Sequence, residues 1–144
     1  MTSFKKTAKK PVHLLPQEYQ DEYQTLKPIN GFRESVLYVV DDYIDNALKD
    51  VDFAYEVWRS RPPSLVGHFP YLHTLNADAE QASYQLSTKG AGRYTILEGR
   101  SLFVKSDYLL AFTCLLPKDL QSWLPSNPQC RDIAMNLLAV GMSH

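Results

Sequence analysis

A chain of 144 residues with 44% hydrophobic, 22% charged and 12% aromatic side chains has the size and composition of one ordinary globular domain. Its formal net charge of −1 excludes the basic surface of a dedicated nucleic-acid binder, and two cysteines, Cys114 and Cys130, exclude a disulfide framework and read as buried thiols. The longest apolar stretch, Tyr108 to Leu116, is interrupted by Thr113 and falls short of the ~20 residues that cross a bilayer, so no membrane span is expected.

Residues 1–11 carry Lys5, Lys6, Lys9 and Lys10 beside a single large apolar side chain, Phe4, which predicts a disordered basic tail. The tail begins like the charged region of a signal peptide. Pro11, His13, Pro16 and Gln17 then stand where the apolar core of such a signal would be, so the expected localisation is cytoplasmic. Residues 12–144 read as a single domain. A short strand over 12–15 precedes a helix opened by Pro16, with Glu18 and Asp21 in its first turn and Tyr19, Tyr23 and Leu26 at helical spacing.

A second, long helix is predicted from about Arg33 to Trp58, because Leu37, Val40, Ile44, Ala47, Val51, Ala54 and Trp58 recur at steps of three and four. Asp50 offers a point at which it divides in two, and Arg61-Pro62-Pro63 ends it. Ser64 to Asn76 reads as a packed loop and Asn76 to Gln81 as one capped helical turn. A three-stranded meander follows: Tyr84 to Thr88, Arg93 to Val104 with a bulge at Gly99-Arg100, and Tyr108 to Leu116 at its centre. Asn127-Pro128 then opens a last helix that runs to about Val140. The fold class is therefore α+β, with helices packed on one face of a small antiparallel three- or four-stranded meander sheet.

Asp41 and Asp45 stand one helical turn apart, a spacing with which prenyl-diphosphate enzymes hold Mg²⁺. On this helix Ile44 belongs to the apolar stripe, so the pair reads as a solvated acidic face that docks a partner and not as a metal site. His68, Tyr71 and His73 form an aromatic loop surface in which the imidazoles bond loop carbonyls or share a pocket with Asp78 or Glu80. Lys89-Gly90-Ala91-Gly92-Arg93 is glycine-rich and basic, but a strand follows it where a phosphate loop would run into a helix, so it reads as a hairpin turn.

Gly90-Ala91-Gly92-Arg93-Tyr94, set in the order strand, helices, meander and helix, resembles the central strand of RelE-like toxin ribonucleases. That resemblance implies Arg93, Arg100, Lys105 and His68 or His73 around a cut phosphate. Leu15-Pro16-Gln17-Glu18-Tyr19 followed by Asn30-Gly31 is similar to the opening of the SUKH immunity superfamily, whose members bind toxins.

Together these features predict a non-enzymatic protein-interaction or regulatory module, with a ribonuclease, a small-ligand sensor or an immunity protein as alternatives. Its binding residues would be His68, Tyr71, His73, Arg93, Arg100, Asp41 and Asp45, with no catalytic residue, no metal and no cofactor. Its partner would be a protein or a second copy of itself. Ile133, Leu137, Leu138 and Met142 on the last helix would form a homodimer interface, because that helix is apolar beyond one stripe.

Overall fold

The computed structural model describes residues 26, 28, 36–76, 81–85, 88 and 92–143. The basic tail, the first strand and nearly all of the first predicted helix lie outside them, although Leu26 is described and sits in the core. The chain has the expected α+β class, and its described residues form four helices and two small antiparallel three-stranded sheets.

Val36-Leu37-Tyr38-Val39-Val40, a β-branched and aromatic run, is strand β1 (Val36–Val40) and not the start of a long helix. A turn at Asp41–Ile44, closed by Ile44 N–H on Asp41 C=O, follows it, and helix α1 (Leu48–Ser60) begins only then. The predicted stripe is thus split. Ala54 and Trp58 are buried from α1, while Leu37 belongs to a strand and Val40 is exposed. Arg61-Pro62-Pro63 ends the helix as the sequence indicates.

β2 (Val66–Gly67) and β6 (Ser101–Lys105) join β1 in the order β1-β6-β2. Val40 pairs with Ser101, and Gly67 with Leu102. Both neighbours are antiparallel to β6, so β1 and β2 run parallel to each other. Leu102, Phe103 and Val104 are all buried, because the sheet is covered on both faces. On one face Phe103 packs with Tyr38, Val66, Ala54 and Trp58 beneath α1, and its ring lies 4.6 Å from that of Tyr38. On the other, Leu102 and Val104 meet Leu109, Phe112, Met135 and Ala139.

The segment Ser64 to Asn76, predicted as a packed loop, contains β2 and β3 (Pro70–Asn76), and β3 pairs with β4 (Gln81–Gln85) on one side and β5 (Ile96–Leu97) on the other. Asn76 opposes Gln81 as the last pair of β3 and β4, and residues 77–80 of the helical turn expected there lie outside the described residues. The single strand expected over 93–104 is β5 and β6, lying in different sheets and divided by Glu98-Gly99-Arg100. Two strand pairs therefore pass side by side from one sheet to the other, β2 into β3 and β5 into β6.

The predicted central strand Tyr108 to Leu116 is instead helix α2 (Ser106–Cys114). Its apolar run has no period of two. Tyr108, Leu109 and Phe112 share a buried helical face, while Leu110 is 51% exposed. Cys114 is exposed and Cys130 half-buried, so the thiols are not the core residues expected. Helix α3 (Lys118–Trp123) and two 3₁₀ turns, Leu124–Ser126 and Pro128–Cys130, lead into α4 (Arg131–Met142). No described helix is long and apolar enough to cross a membrane.

Helix and strand readings of 108–116 predict different mutational outcomes, since a strand would put Tyr108, Leu110 and Phe112 on one face. Phe112→Ala is expected to cost about 3–5 kcal/mol and Leu110→Ala less than about 1 kcal/mol in urea unfolding. Similar losses at both positions would contradict the helix.

Candidate functional site

The turn Glu98-Gly99-Arg100 sits where the two sheets meet, and contacts from three directions fix it. From β1, Asp41 N–H donates to Arg100 C=O at 2.9 Å. At the start of β3, Phe69 C=O accepts Glu98 N–H at 3.0 Å. On α4, Asn136 takes both backbone groups of Leu97: its Oδ1 accepts Leu97 N–H at 2.9 Å and its Nδ2 donates to Leu97 C=O at 2.8 Å. The side-chain amide thereby stands in for a neighbouring strand along the free edge of β5.

One helical turn before Asn136, Asp132 lies against Gly99. A Cβ on Gly99 would meet Asp132 Oδ1 at 2.8 Å, so only glycine admits so close an approach. The Gly99 N–H bonds this carboxylate. Arg131, 8% exposed, reaches Asp132 Oδ1 through Nε at 3.4 Å. Burial raises the Asp132 carboxyl above its ordinary value near 3.8, against Arg131 and the Gly99 amide, which lower it.

Arg100 and Glu98 form an ion pair at 2.6 Å across the turn. Tyr71 Oη donates to the same Glu98 oxygen at 2.5 Å and accepts from Arg100 Nη2 at 3.2 Å, and the guanidinium lies 5.0 Å from the centre of the Phe69 ring. Burial, then the bond to Glu98, raises the Tyr71 phenol, while the bonds to Glu98 and Tyr71 hold Arg100 protonated. Arg100 Nε is buried without an acceptor among the described residues.

Of the residues singled out in the sequence, Tyr71 and Arg100 are thus brought together, with Asp41 one hydrogen bond away. Asp41 opens the turn after β1 and Asp45 follows that turn, so neither is on a helix face, which removes the reason for reading them as one acidic stripe. His68 and His73 do not share a pocket: His68 Nδ1 is 2.8 Å from Ser101 Oγ, whereas His73 Nδ1 is 2.7 Å from Thr95 Oγ1 in the second sheet. Arg93 is exposed, and Asp78 and Glu80 lie outside the described residues. On α4, Leu137 (68% exposed) and Met142 face outward, while Ile133 and Leu138 are half-buried and Leu138 packs on the core. Asp132, Asn136 and Glu98 were missed. The one available signal was Asp132 and Asn136 four residues apart, a polar pair on a helix that is otherwise apolar.

Compared with known proteins, residues 2–143 match the glycosyl transferase family 64 domain. The chain belongs to that family. It is 29% identical over 117 residues to glycosylinositol phosphorylceramide mannosyl transferase 1 of Arabidopsis thaliana, covering 78% of this chain and 35% of that protein. It is 29% identical over 110 residues to human exostosin-2, covering 76% of this chain and 15% of that protein. To glycosyltransferase family protein 64 C3 of Arabidopsis thaliana it is 24% identical over 131 residues, 89% of this chain and 39% of the relative. The chain therefore spans about a third of the plant transferases and less of the exostosin.

Membership in glycosyl transferase family 64 overturns the non-enzymatic interaction module and, with it, the ribonuclease, sensor and immunity alternatives. The composition and fold that prompted those readings are equally those of a transferase domain. The cytoplasmic localisation, inferred only from the want of an export signal, is corrected by the same match to the exostosins and the phosphorylceramide mannosyl transferase.

An acid whose carboxyl is raised by folding favours the fold below its unfolded value and costs stability as pH rises through the raised one. Asp132→Asn is therefore expected to raise the urea midpoint of the family 64 domain at pH 7 and to leave it unchanged near pH 3. An equal loss at both pH values would make Asp132 only a structural partner of Arg131.

Proposed function

We propose that this domain takes part in transferring a glycosyl group from a diphosphate-activated sugar to an acceptor hydroxyl. Beyond family membership, one observation supports the reading. Two acids are held at one three-residue turn, Asp132 by its carboxylate on Gly99 N–H and Asp41 by its backbone N–H on Arg100 C=O. One is desolvated beside a buried arginine; the other opens an acidic turn.

The two environments suit different work. Asp41, Asp42 and Asp45 form no ion pair among the described residues, and their oxygens are the donor type that a hard divalent cation takes. No described group of three acids, histidines or cysteines encloses a metal. Two carboxylates nonetheless fit a cation whose remaining ligands are water and substrate phosphate. Asp41 and Asp42 would hold it there, and it would neutralise the leaving diphosphate. Asp132, shielded from water, would face the positive charge that develops at the anomeric carbon, as a carboxylate does in glycoside chemistry. The Glu98–Arg100–Tyr71 cluster holds the turn rigid between them. The mannosyl transferase among the relatives makes GDP-mannose a first donor to assay beside a panel of UDP-sugars.

Calorimetry with Mn²⁺ or Mg²⁺ should show sugar-nucleotide binding that needs the cation and weakens at least about tenfold in Asp41→Asn and Asp42→Asn. Asp132→Asn should keep binding within about threefold and lower nucleoside-diphosphate release about a hundredfold. Gly99→Ala, which displaces the Asp132 carboxylate, should fall between wild type and Asp132→Asn in turnover. Binding and turnover indifferent to all four substitutions would overturn the proposal.

A further inference from the structure

Ser101 is fully buried, at 0% exposure, and three polar atoms meet its single hydroxyl at 2.8 Å: Tyr38 Oη, Asn46 Nδ2 and His68 Nδ1. Asn46 Nδ2 also reaches Tyr38 Oη at 2.7 Å, so its two hydrogens are both engaged, one on each oxygen. A hydroxyl has one hydrogen to give and two lone pairs to receive with. If Ser101 donated to Tyr38, the phenol would receive twice and its own hydrogen would find no acceptor in the cluster. The arrangement that satisfies every member runs one way. Asn46 donates to both oxygens, Tyr38 donates to Ser101, and Ser101 donates to His68.

His68 Nδ1 is then an acceptor without a hydrogen, and the neutral ring carries its proton on Nε2. No described protein group is bonded to Nε2, and the imidazole is half-buried. Its position follows from the strand order. Asp41 and His68 stand just after the ends of the parallel strands β1 and β2, held by consecutive carbonyls where the chain enters β6: Arg100 C=O takes Asp41 N–H at 2.9 Å, and Ser101 C=O takes His68 N–H at 3.1 Å. Two strand spacings, roughly 10 Å, separate the two backbones at this end of the sheet.

We infer that His68 is a substrate-binding residue whose tautomer is fixed by Tyr38, Asn46 and Ser101, so that Nε2–H donates to a hydroxyl oxygen of the bound sugar. A neutral donor of fixed direction suits a sugar hydroxyl, whereas a phosphate is better met by the cation or by arginine. The inference rests on the glycosyl-transfer reading for the identity of the ligand, but not for the state of the ring.

The test has two arms. In ¹⁵N-histidine-labelled protein above pH 7.5, His68 should show a bare Nδ1 and a protonated Nε2, and Ser101→Ala should release it to a mixture of tautomers. A protonated Nδ1 in the wild type would mean that the Asn46 amide is turned the other way and would overturn the inference. In the second arm, His68→Asn keeps a polar atom near the Nδ1 position and removes the Nε2 donor, while His68→Gln places an N–H near Nε2. With the sugar nucleotide that wild type binds most tightly from the UDP- and GDP-sugar panel, His68→Asn should weaken binding about tenfold and His68→Gln should stay within about threefold. Binding of the corresponding nucleoside diphosphate without its sugar should not change. Equal binding by His68→Asn and wild type would overturn the inference. A wild type that binds no sugar nucleotide would remove the glycosyl-transfer reading and the sugar ligand, leaving the tautomer to be decided by the spectrum.

Discussion

Asn136 recognises the peptide backbone of Leu97 with both ends of its amide, and the placement of the whole site depends on that pair of bonds. β5 is only two residues long and has one strand partner, β3. Without Asn136 its other edge would leave a buried N–H and C=O unpaired, a penalty of ~1–3 kcal/mol for each group. With it, β5 is fastened to a helix, and the following turn is brought over the preceding turn of that helix. Asp132 meets Gly99 for this reason alone. The same amide reaches back to Asp132 C=O at 2.7 Å, so helix geometry, strand edge and carboxylate are locked in one unit.

β6 makes the corresponding connection on the other side. Its residues pack on α1 from one face and on α2 and α4 from the other, which leaves no solvated side and explains why Ser101, a polar residue, must be satisfied internally. Gly67 serves the same closeness: a Cβ there would stand 2.8 Å from Ser101 C=O. The buried polar cluster and the apolar core are thus neighbours along one strand. Along Ser101-Leu102-Phe103-Val104, Ser101 enters the polar cluster, Phe103 the apolar cluster beneath α1, and Leu102 and Val104 the apolar cluster on the other face.

Signals carried by single residues were legible in the sequence. Arg61-Pro62-Pro63 stops α1, Asn127-Pro128 precedes the last helix, and Gly99-Arg100 marks the break in the strand, though as a passage between sheets and not a bulge. Signals of periodicity misled. Leu37, Val40 and Ile44 fit a helical stripe as well as a strand running into a turn, and an unbroken apolar run such as 108–116 has no period from which to choose. At the site, Tyr71 and Arg100 stood out as an aromatic and a cation in loop-like surroundings. Asp132 did not, because an acid beside an arginine near a helix start ordinarily reads as a solvated pair, and only the tertiary approach of Gly99 buries it.

The paired crossing of strands between the two sheets has a mechanical consequence. Residues 68–69 and 98–100 are the described segments through which β2 continues into β3 and β5 into β6, so relative tilting of the sheets has to be absorbed there by rotation of a handful of backbone dihedrals. Those segments include His68, Glu98 and Arg100, and Asp41 is bonded to one of them through Arg100 C=O. A ligand spanning from Asp41 to Asp132 would therefore splint the joint on which it rests, and its occupancy would be felt as stiffness across both sheets. Hydrogen exchange at the amides of Glu98 and His68, each bonded across the joint, is where that stiffening would register first.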